Sequence, residues 1–340
     1  MSSKKIGLQT VAFQQAPVIL SHASIVGPKE GEGPLGDVFD KVLEDMYYEE
    51  STWEKAEQKI FLETMKLALA KAQLTTDDMD YLLAGDLTNQ IITANFTARS
   101  LAIPFIGLYG ACSTMYESLA LGSMLIDGGY AKYVLVGASS HFATAERQFR
   151  FPTEQGVQRA MSAQRTVTGA GAIVLGAQGE GPRITHATIG KVIDFGQGDA
   201  SDMGSAMAPA AADTFLRHLQ DRKISPDFYS IIATGDLGKY GRQLVVKLCE
   251  QQEVFLTQSY TDCGILIFDE SQDTHAGGSG CGCSAVVTCG HLLREMEQGR
   301  LTRILGIGTG ALLSPCSSQQ GETIPGIAHA VAIEASGGGR

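Results

Sequence analysis

Charge is scarce in this chain, and basic charge is scarcer still. Charged side chains make up 19% of the 340 residues, against about a quarter in an ordinary globular protein. Lys and Arg number 26 against 37 Asp and Glu, for a net charge of −11. A general nucleic-acid binder needs a basic face, so that class is excluded. The same field repels a small anionic ligand at long range, and any anion site must be locally positive or recruit a cation. Long apolar runs are missing too: no stretch of 18 apolar residues exists, so no segment is expected to span a membrane. No apolar run follows Met1-Ser2-Ser3-Lys4-Lys5, so no secretory signal is expected. With an odd number of cysteines, seven, the chain reads as the product of a reducing, intracellular compartment. Disorder needs low hydrophobicity and dense charge, whereas 44% of this chain is hydrophobic.

Glycine, by contrast, is abundant, at 40 residues, nearly twice the usual share. It follows no collagen-like period. Two segments of the chain resemble each other. Leu74–Leu87 ends in Ala84-Gly85-Asp86-Leu87, and Ile224–Leu237 ends in Thr234-Gly235-Asp236-Leu237, 150 positions later. Each follows an amphipathic helix. Phe61, Met65, Ala68, Leu69 and Ala72 mark the buried face of the first, with Ser51 and Glu54 as its expected capping box. Ala211, Phe215, Leu216 and Leu219 mark the second. The repeat continues at an offset of 170, from Tyr133–Ala138 to Arg303–Gly308. The short, apolar, β-branched strands suit a sheet covered on both faces. Alternating helices and strands predict a layered α/β fold, with Ala170–Leu175 and Ala330–Ile333 as last strands. The halves divide at Gly179-Glu180-Gly181-Pro182: residues 1–178, then 179–336, with 337–340 a flexible tail of cloning origin.

Cys112, in Tyr109-Gly110-Ala111-Cys112-Ser113-Thr114, opens a predicted helix from Met115 to Ile126. A helix N-terminus lowers a thiol's pKa, so the residue reads either as a nucleophile or as a small residue packed where helix meets sheet. Asp86 and Asp236 end equivalent strands, where α/β folds place ligands. They hold a ligand or a calcium ion, or they cap the next element. Arg147 and Arg150 offer forks that match carboxylates, or they pair with Glu146 and Glu154. His141 lines a pocket or caps a turn. Cys281, Cys283 and Cys289 lack the paired spacing of a zinc site, and small-residue packing explains them; no metal site is expected. Gly277-Gly278-Ser279-Gly280 is not a P-loop, because no Gly-Lys-Ser/Thr follows.

Several segments together carry a family resemblance: Gly27-Pro28-Lys29-Glu30, Leu83-Ala84-Gly85-Asp86-Leu87, Gly110-Ala111-Cys112-Ser113-Thr114, Ala145-Glu146-Arg147-Gln148-Phe149-Arg150, Asp202–Thr214 and Ala276–Ala285. Two duplicated α/β halves with a Cys opening the first central helix resemble the thiolase superfamily, nearest to β-ketoacyl-acyl carrier protein synthases III. From about residue 5 to residue 335 the chain resembles the stage V sporulation protein AD family. That resemblance implies a thiolase-like α-β-α-β-α architecture and a homodimer. It implies binding of dipicolinic acid, or its calcium chelate, and support of its uptake into the developing spore beside membrane proteins of the same operon. The protein is then intracellular and peripheral at the inner spore membrane, with no cofactor unless calcium accompanies the ligand.

One departure from the enzymes bears on function. The synthases carry His after the strand that here precedes Thr234-Gly235-Asp236, and Asn where this chain reads Gly278-Ser279-Gly280. Those groups activate the thiol and stabilise the oxyanion. A lone Cys112 is therefore expected to be a vestigial nucleophile in a non-catalytic binding site. The ligand candidates are Cys112, Asp86, His141, Arg147, Arg150, Asp236 and Ser279. The alternatives are a condensing or acyl-transfer enzyme using Cys112, and a scaffold with a vestigial pocket.

Overall fold

The apolar spacing in residues 53–71 yields the helix it predicts, Trp53–Lys71, which buries Phe61, Met65, Ala68 and Leu69. Its cap lies one residue later than expected. Thr52 is the extended residue, and its side chain accepts from the Lys55 amide at 3.3 Å, while Glu54 pairs with Arg147 instead of closing a capping box. The second amphipathic pattern forms Met203–Arg222, capped by Asp202, with Ala211, Phe215 and Leu219 buried. The computed structural model describes residues 4–149 and 159–336, so Arg150 and the tail 337–340 lie outside the described residues.

The first half holds β1 (Thr10–Ala12), β2 (Val18–Val26), β3 (Lys41–Val42), β4 (Tyr81–Gly85), β5 (Phe105–Gly107), β6 (Tyr133–Ser140), β7 (Arg165–Thr166) and β8 (Gly169–Gly176). The second holds β9 (Arg183–Ile189), β10 (Ile231–Thr234), β11 (Tyr260–Asp262), β12 (Gly278–Ser279), β13 (Arg303–Ala311) and β14 (Gly326–Glu334). In space they run β11-β10-β13-β14-β9-β2-β8-β6-β4-β5. Strands equivalent in the repeat stand at equal distances from the centre of this row, where β2 and β9 meet through one pair, Val18 with Arg183. In each half the outer three strands are parallel, and the last strand, β8 or β14, runs antiparallel to its neighbours. The sequence duplication thus becomes a pseudo-twofold of two five-stranded sheets. The halves also clasp each other. β1 pairs with β9, and the Asp221 carboxylate accepts from the Leu8, Gln9 and Thr10 amides at 3.1, 2.9 and 3.0 Å.

Helices cover both faces of each sheet. Trp53–Lys71 packs on the first sheet and Met203–Arg222 on the second. Between the sheets lie the helix Thr114–Asp127, which touches strands of both halves, and the helix Cys281–Val287, which crosses onto β2, β6 and β8 of the first half. The latter continues through a π turn, Thr288–Leu292, into Leu293–Glu297. Much of the glycine serves this interlocking. A Cβ at Gly306 would stand 2.0 Å from the ring of Tyr116, and one at Gly310 would stand 2.4 Å from the Gly110 carbonyl oxygen. Tyr116 is wholly buried, and its hydroxyl meets Thr288 Oγ1 at 2.8 Å. Cys281, Cys283 and Cys289 are buried as small core residues. Among the described residues no group of His, Cys, Asp or Glu is placed to hold a metal ion, and no helix is long and apolar enough to cross a membrane.

Candidate functional site

Cys112 follows β5 through a tight turn, Ala111–Ser113, that leads into the helix Thr114–Asp127. Ala111 takes φ 50°, a left-handed conformation that costs a residue with a Cβ roughly 1 kcal/mol. Side chains of the turn hold it there. Ser113 Oγ donates to the Gly110 carbonyl at 2.6 Å, and Thr114 Oγ1 donates to the Ala111 carbonyl at 2.7 Å. The result is a thiol presented at the junction of the two halves with 6% of its surface exposed.

The second half supplies what faces it. Asp236 lies just past the end of β10 and is fully buried. Thr309 Oγ1 donates to its Oδ1 at 2.7 Å. Its Oδ2 accepts from the Gly280 amide at 2.8 Å and from Ser279 Oγ at 3.1 Å. The Cys112 thiol is close enough to this carboxylate for each to shift the other's titration. Gln164 fixes the backbone behind it, its Nε2 donating to the Asp236 and Gly278 carbonyls at 2.7 Å each. Burial lifts the Asp236 carboxyl to about 6, and the Thr309, Gly280, Cys112 and Ser279 donors hold it from rising further.

This arrangement reverses the expected effect of the helix N-terminus on Cys112. Burial pushes the thiol well above its ordinary range, and the Asp236 carboxylate adds to the push; the Gly280 amide acts the other way. A buried thiol near a carboxylate resists ionisation, because its thiolate would lie against a like charge. None of the seven histidines hydrogen-bonds to Cys112 or Asp236 among the described residues. His22 meets Glu297, His141 meets Met46 and Ala143, His186 meets Thr185, and His218 meets Thr188 and Tyr229. His275 meets Ala160 and Asp273, His291 faces Glu295, and His329 meets Gly190.

The structure therefore brings together Cys112, Asp236 and Ser279, and gives Asp86, His141 and Arg147 hydrogen-bond partners of their own; Arg150 lies outside the described residues. Asp86, the repeat partner of Asp236, accepts from the Thr88 and Ala94 amides at 2.9 and 2.8 Å, the capping arrangement. Beside it the buried Glu57 accepts from Thr144 Oγ1 at 2.7 Å and Ser139 Oγ at 3.1 Å, and burial raises both carboxyls. His141 Nε2 lies 2.9 Å from the Met46 carbonyl, and its Nδ1 accepts from the Ala143 amide at 3.1 Å. Arg147 is half exposed and pairs with Glu54 at 3.0 Å; Glu154 lies outside the described residues. Sequence reasoning passed over Thr309, Gly280 and Gln164. The alternation of glycine with other residues in Gly306-Ile307-Gly308-Thr309-Gly310 was the one available signal for Thr309.

Buried acids give the protein a pH dependence. Burial lifts Glu30 and Asp262 to about 7 and Asp236 to about 6, and raises Glu57 as well. Each holds its proton more tightly folded than unfolded, so its contribution to stability is complete below about pH 4 and is lost as the pH rises through its folded value. Buried histidines act oppositely. Burial pushes His186 and His329 down to about 4 and His218 to about 3, so their contribution is present above about pH 6.5 and is lost on acidification. The two sets oppose each other in acid up to about pH 7.5, where the unfolded histidines have lost their protons, and above that the acids alone carry the trend. Stability is expected to fall by on the order of 3 kcal/mol between about pH 6.5 and 8.5, read as a melting temperature lower by several degrees in a calorimetric scan. A melting temperature that stays level or rises over that range contradicts these assignments.

Comparison with known proteins places this geometry. The family model described as Stage V sporulation protein AD matches residues 7–334. The chain is 48% identical over 335 residues to Stage V sporulation protein AD of Bacillus subtilis (strain 168), covering 98% of this chain and 99% of that protein. Its fold is similar to solved condensing enzymes. A 3-oxoacyl-[acyl-carrier-protein] synthase III from Aquifex aeolicus superposes with a TM-score of 0.59 at 14% identity, over 94% of this chain and 99% of that one. The C143A form of Xanthomonas campestris OleA gives 0.64 at 14% identity, over 95% and 98%. At such identity the likeness shows the fold, which is thiolase-like.

Proposed function

The chain belongs to the stage V sporulation protein AD family, and we propose that this sporulation protein binds a ligand in its thiolase-like site without transforming it. The observation that carries the reading is that every histidine is engaged away from Cys112 and the buried Asp236 carboxylate opposes ionisation of the thiol. A condensing enzyme needs a thiolate beside groups that take its proton and receive negative charge. The Asp236 carboxylate, held by the Ser279 hydroxyl and the Gly280 amide, supports the binding reading because it disfavours a thiolate. The ligand we propose is dipicolinic acid, free or as its calcium chelate, taken up into the developing spore beside membrane proteins of the same operon. On this reading the protein is a homodimer, held peripherally at the inner spore membrane by its partners.

Thermal denaturation with dipicolinate, benzoate and no ligand tests the binding. Dipicolinate at a hundredfold excess over its Kd stabilises the native state by about 2.7 kcal/mol, so its melting curve should move upward by several degrees while that with benzoate does not. Equal shifts with both acids, or none with either, would exclude a dipicolinate-specific site.

A further inference from the structure

Glu57 and Asp86 are both buried, and neither bonds to Cys112 or Asp236. Asp86 follows the last residue of β4, which pairs in parallel with β6, Gly85 opposite Ala138. Asp86 and Ser139 therefore leave these strands side by side, and Ser139 Oγ donates to Glu57 Oε1 at 3.1 Å. The two acids differ in their donors. Asp86 accepts from the Thr88 amide and hydroxyl and from the Ala94 amide, a set that favours the carboxylate. Glu57 meets two hydroxyls, those of Ser139 and Thr144. Burial first, and the Asp86 charge second, raise its carboxyl. The hydrogen bonds also fit a proton on Glu57. Thr144 Oγ1 stands 2.7 Å from Glu57 Oε2 and 3.0 Å from the His141 carbonyl oxygen, and a hydroxyl has one proton to give. With Glu57 ionised, that proton goes to the carboxylate and the carbonyl goes without it. With Glu57 protonated, its O–H donates to Thr144 and Thr144 donates to the carbonyl, so every bond of the chain is made.

This chain fastens the helix Phe142–Phe149 to Trp53–Lys71. Farther along the same helix Arg147 pairs with Glu54 at 3.0 Å, and Gln148 Nε2 donates to Asn89 Oδ1 at 2.6 Å in the loop after Asp86. Those two contacts are exposed, where such bonds are weak, and the Thr144–Glu57 contact is buried. The other ionisable groups facing the pair are Glu54 with its partner Arg147, His141, Tyr109 beside Asp86, and Cys281 beside both acids. β8 carries no ionisable side chain, β6 carries only Tyr133 at its far end, and Ile92–Leu101 offers only the exposed Arg99. Burial pushes His141 down and Tyr109 and Cys281 up, which leaves Glu57 as the group that titrates near neutral pH. We propose that Glu57 and Asp86 share one proton, carried by Glu57, and that this proton latches the helix Phe142–Phe149 onto Trp53–Lys71 until a rise in pH releases it. Opening of the helix exposes Glu57 to water, where it ionises as an ordinary carboxylate. Each opening therefore releases a proton, and each unit of pH favours the open form about tenfold until the folded pKa is passed. The helix also carries Phe142, on whose ring the Arg165 guanidinium lies at 3.7 Å. Arg165 begins β7, the partner of the β12 strand that presents Ser279 to Asp236. The latch thus reaches the strands beside Cys112 and operates whatever ligand that site takes.

Hydrogen–deuterium exchange of the full-length protein, read by mass spectrometry between about pH 6 and 8 and corrected for the intrinsic pH dependence of exchange, tests the latch. In wild type the protection of peptides covering residues 142–149 should fall about tenfold or more over this range, the effect of one proton released per opening. Glu57→Gln carries a permanent N–H in place of the proton. It should abolish that fall at 142–149 and keep the pH dependence of Met203–Arg222, which the other buried acids govern. Thr144→Val keeps the size of the side chain and breaks the chain of bonds. It should lower protection of 142–149 at pH 6 to the wild-type level at pH 8, and Thr144→Ser should restore it. Should Glu57→Gln fail to fold, the two Thr144 variants carry the same test. Wild-type protection of 142–149 that stays level with pH, or a fall that persists unchanged in Glu57→Gln or Thr144→Val, overturns the latch. So does a Glu57→Gln effect spread equally over both helices, which would make Glu57 a contributor to global stability alone.

Discussion

Asp236→Asn is expected to speed alkylation of Cys112 by iodoacetamide at least tenfold near neutral pH. Two causes keep this thiol protonated: burial first, and the Asp236 carboxylate second. The substitution leaves burial in place and removes the charge. Two unit charges about 4 Å apart interact by roughly 4 kcal/mol at an effective dielectric constant near 20. Even a third of that shifts the thiolate population about tenfold. Peptide mapping after timed alkylation reads the rate at Cys112 directly, and the buried Cys249 and Cys289, whose pKa values Asp236 does not shift, serve as controls. If the variant merely loosened the fold, all three would react faster together. A selective gain at Cys112 supports the account, and an unchanged rate means that burial alone silences the thiol.

The second large effect concerns the clasp between the halves. Gly306→Val should prevent stable folding or lower the melting temperature severely. A Cβ there would meet the Tyr116 ring at 2.0 Å, and the ring is fully buried between the sheets. The ring cannot withdraw, because the helix Thr114–Asp127 touches both sheets around it. Overpacking of a filled core costs about 1–3 kcal/mol and more where backbone must move, and a central strand carrying that clash belongs at the upper end. Gly198→Ala is the matched control, since nothing lies within 4 Å of its added Cβ. It should change stability by no more than about 0.5 kcal/mol. Combining Gly306→Ala with Tyr116→Ala should cost less than the sum of the two single changes, because the second removes what the first collides with. Additive losses would place the role of Gly306 elsewhere.

Much of the architecture was legible because it is written twice. The Gly-Asp-Leu step at residues 85–87 and 235–237 follows equivalent strands, β4 and β10, and the offset strands at 133 and 303 became β6 and β13. The chemistry was less legible, because equal motifs acquired unequal neighbours. Asp86 turned back on Thr88 and Ala94, while Asp236 met a thiol contributed by the other half. No local pattern distinguishes these two outcomes. The helix N-terminus suggested a reactive Cys112, yet the deciding group stands 124 positions away. Arg147 illustrates the same limit. Its nearby partners in sequence were Glu146 and Glu154, and its partner in space is Glu54, delivered by the packing of a different helix.

Whether the site transforms an acyl group is decided by intact-mass spectrometry of the purified protein after prolonged incubation with acetyl-CoA and malonyl-CoA. The account predicts an unmodified chain and no consumption of thioester, alongside undiminished dipicolinate binding in the same sample. A covalent acyl adduct that disappears in Cys112→Ala, or steady release of free CoA, would contradict it.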